Sequence, residues 1–207
     1  DGSPIFPKTF DDVRSMAKTI HDKTGKAGFI FPTTQNGGGW NFTSLAWSFG
    51  GTFMKQNGDK WEADFNQGTT DALQWLKDMM WEDGSLPSTT LVSNDDTSKL
   101  VGTDQAAMTF AHPGQVDLLV GQYGMKQNDI GYAAMPAGPG GHKTLMGGGY
   151  YVIAPQATPE QIDAAFKWLE FTGSTPATTL TEEARESLRQ TYQTKRDENR
   201  SVIGIKD

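Results

Sequence analysis

The chain has 207 residues, with 36% hydrophobic and 21% charged, the balance of a soluble globular protein rather than a disordered or fibrous one. Its length suits one large domain or two small ones, and no apolar run reaches the roughly 18 residues of a membrane helix. A net charge of −7 leaves no basic face for nucleic acid, and the absence of cysteine excludes disulfides, thiolate metal sites and cysteine nucleophiles. The first residues do not read as a signal peptide, so a targeting segment is expected to be removed or to lie outside this stretch.

In chain order, a helix is predicted over Phe10–Lys23, capped by Thr9 with Asp12 three residues on and stopped by Gly25. Phe10, Val13, Met16, Ala17 and Ile20 give it one apolar face. Ala27–Phe31 reads as a buried strand, followed by a glycine-rich loop, Thr33–Gly39, and a helix over Asn41–Phe49. Asn57-Gly58 marks a hairpin turn between Thr52–Met54 and Lys60–Glu62. The strongest helical pattern spans Gln67–Glu82, with Ala72, Trp75, Leu76, Met79 and Met80 on one face. A short helix is expected at Asn94–Leu100, a strand at Ala106–Ala111, a turn at His112–Gly114 and a helix at Gln115–Gln122. Strands at Ile130–Ala134 and Gly149–Ala154 flank a Pro/Gly loop, Pro136–Gly141. Thr158, Pro159 and Gln161 open a helix running to Phe171, and a charged helix is expected over Glu182–Arg196. Alternating strands and helices give the class α/β, a mixed sheet flanked by helices.

Most chemical signatures are missing. The three histidines have no helical zinc spacing, and Asp11-Asp12 and Asp95-Asp96 lack the alternating acids of a calcium loop, so no metal or other cofactor is expected. Gly138–Thr144 superficially resembles a phosphate loop, but His142 replaces the glycine before the lysine and no helix follows. No nucleophile elbow is present, and Glu82 and Asp83 read as a solvated helix end rather than a catalytic acid pair, so no catalytic residues are assigned. What remains is polar and aromatic. Asn36, Trp40 and Asn41, His112 and Gln115, and Gly148, Gly149 and Tyr150 follow predicted strands, where open α/β sheets bind ligands. An aromatic ring covers the CH face of a sugar while amides and imidazole meet its hydroxyl rim, so this set suits a carbohydrate.

The order of motifs resembles the extracellular solute-binding proteins of bacterial ABC importers, family 1, of the maltodextrin-binding, periplasmic-binding-protein-like (type II) kind. Pro7–Val13 is similar to that family's PKTWDE helix start. Trp40–Gly51 with Lys60-Trp61 is similar to its aromatic loop, helix, Gly-Gly and hairpin, and Ala72–Gly84 with Leu86-Pro87 to its next helix. Gly102–Gly114 and Gly147–Ala154 with Ala164–Leu169 resemble its later strands and last helix. The likeness runs over about residues 7–175.

The resemblance implies a two-lobed binding protein, not an enzyme, that closes on a sugar and is read by a membrane permease, and it implies a place outside the cell membrane with a lipid anchor. In that family one lobe precedes the PKTWDE helix, so this stretch corresponds mostly to the second lobe. Residues 1–147 are expected to form the main part of that lobe, 148–180 a crossover strand and helix packing on the first lobe, and 181–207 a charged helix and tail. Tyr151, Ile153, Phe166 and Leu169 would then lack partners and invite dimerisation or segment swapping. The resemblance puts Trp40 and Tyr150 at stacking positions. Gly114 and Gln115 stand where the family often has an aromatic, which points to hydrogen bonding there. Trp61, Trp75, Trp81 and Trp168 are expected to be structural. The alternative functions are a non-transport glycan-binding module and, more remotely, a glycoside hydrolase fragment.

Overall fold

The computed structural model describes residues 5–112, 114–149, 151–174 and 181–183, together with residues 186 and 190. The chain divides into two compact units, Asp1–Met146 and Gly147–Asp207.

The first unit opens on α1, Phe10–Thr24. Thr9 Oγ1 accepts the Asp12 amide at 3.1 Å while the Asp12 carboxylate accepts the amides of Thr9 and Lys8, both at 2.9 Å. That reciprocal box satisfies donors every helix start leaves orphaned. Gly25, at φ 69°, ends the helix in the left-handed conformation that glycine takes without steric cost. Phe10, Val13 and Ala17 are its buried face.

The chain then turns inward. Phe29, Ile30 and Phe31 are buried, and Gly28 passes so close to α1 that a Cβ there would stand 2.0 Å from the carbonyl oxygen of Ala17. Parallel bridges join Ala27 to Ala106 and Ile30 to Thr109. They do not extend into a regular ladder, because the amides of Gly28 and Phe29 both go to the carbonyl of Ser85, at 2.9 and 3.1 Å, and not to a neighbouring strand. The strands expected at 27–31 and 106–111 are thus bridged extended segments. Ile130–Ala134 forms no strand; the nearest pairing is a bridge between Thr9 and Ala137. Helices packed on these parallel segments keep the α/β character of a mixed, helix-rich fold.

Helix α2, Gln35–Ser48, buries Ser44, Leu45, Ala46 and Ser48. The one regular sheet among the described residues is the antiparallel hairpin of β1, Met54–Asn57, and β2, Lys60–Ala63. Its two-residue loop is Gly58-Asp59, one step later than the Asn57-Gly58 turn expected, because Asn57 pairs with Lys60. Gly58, at φ 60°, takes the first central position, which type II′ turns reserve for glycine. Helix α3, Gln67–Trp81, is capped by Asn66, whose side chain also donates to the carbonyl of Gly50 at 2.8 Å and so ties α3 to the end of α2. Helices α4, Asn94–Gly102, and α5, Gly114–Tyr123, complete the unit, α4 with a second capping box from Ser93 and Asp96.

Aromatic rings centre the core. Phe10 meets Phe49 at 5.2 Å, Trp75 at 5.3 Å and Phe110 at 6.1 Å between centroids, and the Trp75 Nε1–H donates to the Phe10 carbonyl at 3.2 Å. On the rim of the core, Arg14 of α1 reaches Asp83 at 2.5 Å, Asp78 at 2.9 Å and Glu82 at 3.3 Å. The hydrogen bond to Asp83 is the largest cause that holds the guanidinium in its charged form. Glu82 is exposed, as expected of a solvated helix end, whereas Asp83 is nearly buried in an ion cluster.

In the second unit, α6 runs over Pro159–Phe171 as expected, with Thr158 and Gln161 forming a third capping box. Tyr151 packs edge-on against Trp168 at 5.5 Å, yet both remain exposed. No strand forms at Gly149 or over 151–154 among the described residues. Most of the helix expected over Glu182–Arg196 lies outside the described residues. Of the four tryptophans expected to be structural, Trp75 is buried, whereas Trp61, Trp81 and Trp168 are exposed.

Gly28→Ala is expected to cost about 1–3 kcal/mol, since the added methyl meets backbone that cannot rotate away; a urea unfolding midpoint unchanged from wild type would refute it. The capping carboxylates give a pH signature. Hydrogen bonds from backbone amides hold Asp12 and Asp96 below the usual value of 3.8. A depressed native value means that the stabilisation is present above 3.8 and is lost as the pH falls through the native values. The double variant Asp12→Asn, Asp96→Asn should therefore lose stability less steeply than wild type below pH 3.8, read from urea midpoints against pH.

Candidate ligand-binding site

The site is built on the first turns of α2. The sequence Gln35-Asn36-Gly37-Gly38-Gly39 is a poor helix former and reads as a loop, yet it is the helix start. Two of its glycines explain why. A Cβ on Gly37 would lie 2.4 Å from the side chain of Asn94, and one on Gly38 would lie 2.5 Å from the backbone of Thr33. Packing sets this turn, not propensity. Upstream, the amides of Thr33 and Thr34 donate to the carbonyl of Val92 at 2.8 and 3.1 Å, which fixes the approach to the helix. Gln35 has φ 56°, a left-handed value uncommon for a residue with a side chain. Strain of this kind gathers at ligand-binding sites more than elsewhere.

This turn presents Asn36 to solvent and Trp40 one turn on, 39% exposed. Asn41 is half-buried and spends one amide N–H on the carbonyl of Gly37 at 2.9 Å, within its own helix. His112 reaches the same end of the lobe by register. Ile30 pairs with Thr109 in a parallel bridge, so three residues further on Thr33 and His112 both leave the carboxyl ends of adjacent segments. His112 is exposed. Asn36, Trp40, Asn41 and His112 thus come from one end of the parallel core, the end at which open α/β folds bind ligands.

Gln115 is a correction. It is 8% exposed, and its Nε2 donates to Ser98 Oγ at 3.0 Å, so it joins α5 to α4 and turns away from solvent. The local sequence suggests a ligand contact for an amide at a helix start, but its partner, Ser98, lies on a different helix and leaves no local signal. Gly148 and Gly149 belong to the second unit, where a Cβ on either would meet nothing within 4 Å. Tyr150 lies outside the described residues. Trp47, 37% exposed, gave no sequence signal, because with the helix begun at Asn41 it had no aromatic neighbour on its face. Begun at Gln35, the helix places it seven residues after Trp40 on the same side.

Other features have structural partners. The glycine-rich stretch that resembles a phosphate loop packs on the end of α2: the Gly140 amide donates to the Ser48 carbonyl at 2.7 Å, and a Cβ on Gly138 would stand 2.3 Å from the same oxygen. Asp12 and Asp96 serve as caps. A recess of about 230 Å³ beside α1 is lined by Asp11, Arg14, Ser15, Lys18 and Asp83, and none of the predicted site residues borders it. Among the described residues no group of three or more His, Cys, Asp or Glu is placed to hold a metal ion.

The family of bacterial extracellular solute-binding proteins matches residues 1–179. Among solved structures, the maltose-bound MalE3 of T. maritima aligns with a TM-score of 0.64 at 23% identity, over 82% of this chain and 44% of that one. The cyclic alpha-maltosyl-1,6-maltose binding protein of Arthrobacter globiformis aligns at 0.53 and 24% identity, over 67% of this chain and 34% of that one. A sugar transporter of Arthrobacter chlorophenolicus with bound laminaribiose aligns at 0.52 and 20%, over 66% and 34%. At these identities the likeness is one of fold, and the chain spans less than half the length of each. No curated protein matches it by sequence. On the match over residues 1–179 and a lobe of the same fold, the chain belongs to the bacterial extracellular solute-binding protein family.

Proposed function

We propose that this chain supplies one lobe of the substrate-binding component of an ABC importer, and that its solute is a carbohydrate, specifically an oligosaccharide, held between this lobe and a second. The observation that carries the reading is Trp40. An indole left 39% exposed on a helix anchored by buried Ser44, Leu45, Ala46 and Ser48 offers a flat face to a flat ligand. Asn36 and His112 at the same end add donors and acceptors for a hydroxyl rim, and Asn41 adds what its bond within the helix leaves over. The fold neighbours named with maltose, maltosyl-maltose and laminaribiose support a sugar over other polar solutes.

Gly148, Gly149 and Tyr150 enter the proposal through the family resemblance; the open space around both glycines is compatible with close approach of a ligand to their backbone. The protein binds and releases without chemistry. Asp78, Glu82 and Asp83 are committed to Arg14, which supports binding over hydrolysis. The partner is a membrane permease that recognises the liganded, closed form, and the family's description supports a location outside the cell membrane. Closure follows if the sugar has differential affinity for the closed state, since a ligand shifts a conformational equilibrium only by that difference.

A thermal-shift and calorimetric screen of the full-length protein against mono- and oligosaccharides tests this, because a ligand that binds only the native state raises its melting temperature. At least one oligosaccharide should raise it, and Trp40→Ala should cost about 1–3 kcal/mol of affinity for that sugar, the scale of one aromatic contact. Gln115→Ala should lower stability by about 1–2 kcal/mol, read from urea midpoints, as the loss of the buried hydrogen bond that joins α5 to α4. No shift with any sugar, or full affinity in Trp40→Ala, would overturn the assignment.

A further inference from the structure

Helix α2 carries a second exposed ring. Asn36, Trp40, Thr43 and Trp47 fall at steps of four, three and four residues and so form one stripe along the helix. Both indoles are open to solvent, Trp40 at 39% and Trp47 at 37%. The remaining sides of α2 are held. Leu45 and Ala46 are fully buried in the core. Ser44 Oγ accepts the Leu145 amide at 2.9 Å, and Ser48 Oγ donates to the Lys143 carbonyl at 3.1 Å, so the segment 143–145 covers the flank beside the stripe. The rings are thus mounted on a helix that cannot roll.

The stripe is also uncharged. Charged residues make up 21% of the chain, yet the 14 residues of α2 include no Asp, Glu, Lys or Arg. A surface helix ordinarily turns charged residues outward. Two indoles with an amide and a hydroxyl between and beside them suit a neutral ligand with repeated apolar faces and hydroxyl edges, not an ionic solute.

Seven residues of helix separate the two rings by about 10 Å along the axis. Neighbouring rings of a disaccharide are too close together to cover both indoles, whereas rings separated by an intervening sugar match that spacing. From this we infer that Trp47 is a second stacking position, and that the site takes a linear, neutral oligosaccharide of at least three residues laid along α2 from Trp40 to Trp47. The inference rests on the carbohydrate reading of Trp40 and adds the length and direction of the ligand.

Calorimetry on the full-length protein with two series, maltose to maltohexaose and laminaribiose to laminarihexaose, tests it. Wild-type affinity for the series that binds should rise from the disaccharide to the tetrasaccharide. Trp47→Ala should abolish the rise, weakening the tetrasaccharide about fivefold or more while leaving the disaccharide unchanged; Trp47→Phe should keep most of it. Trp40→Ala should weaken every member. If Trp47→Ala is poorly folded, the indole N–H resonance of Trp47 in the wild type should shift with the tetrasaccharide and not with the disaccharide. Binding that does not strengthen beyond the disaccharide, or a Trp47→Ala effect that is absent or equal at all lengths, overturns this inference and leaves the sugar reading standing. That includes the case in which Trp47 serves a protein partner. Failure of both series, and of every oligosaccharide in the wider thermal-shift screen, to bind takes down the sugar reading and the inference together.

Discussion

The contact on which the first unit depends is that of Phe10 with Trp75. Phe10 is the first residue of α1, and its ring meets Phe49 just past the end of α2, Trp75 in the middle of α3 and Phe110 at the end of a bridged segment. The Trp75 indole returns a hydrogen bond to the Phe10 carbonyl at 3.2 Å, so one residue is held by both its ring and its backbone. The two edge-to-face pairs, with Trp75 and Phe110, contribute about 0.5–1.5 kcal/mol each beyond the area they bury. What matters more is that the rings converge from four separate stretches of chain. Helix α2, with three glycines in its first turns, has little intrinsic tendency to form, and tertiary contact must hold it. Its far end is anchored through Phe49 to Phe10, and that anchor sets the direction in which Trp40 points.

Backbone approaches too close for a side chain do the rest of the positioning. Gly28 lets the buried segment pass against α1, Gly38 lets α2 start against Thr33, and Gly138 and Gly140 let a loop close over the carbonyls that end α2. The last case removes the phosphate-loop likeness on physical grounds. An anion is attracted to the amino end of a helix, where amides are free and the dipole is positive. These glycines sit at the opposite end, where the Gly140 amide caps a carbonyl.

Features carried by three or four neighbouring residues were legible in the sequence. The boxes of Thr9 with Asp12 and of Thr158 with Gln161 stand where the sequence placed them, because every atom involved lies within one turn. The apolar stripe of Ala72, Trp75 and Met79 is buried for the same reason. Features set by distant partners were not legible. Gln115 is buried because Ser98 of another helix receives its amide. The triple glycine became helix because Asn94 and Thr33 lie beside it. The expected strands did not lengthen into a sheet because Ser85 takes two of their amides. Trp81 is an intermediate case: it lies about 240° around the helix from Trp75, so its exposure was implied by periodicity even though its residue type suggested core.

For the proposed ligand, the two indoles set a limit on what one lobe can do. A tryptophan offers at most about 250 Å² to burial, and with more than half of each already covered, no more than about 100 Å² per ring remains for a sugar. At about 25 cal/mol per Å², both rings together contribute at most about 5 kcal/mol. Immobilising a ligand costs about 4 kcal/mol or more. The rings of this lobe alone therefore leave little net affinity, and tight binding has to draw on hydrogen bonds to the hydroxyl rim and on a second surface covering the other face of the sugar. An uncharged, half-covered aromatic strip is well matched to that arrangement: in the proposed function it would set the ligand's path, and closure of a second lobe would supply the strength.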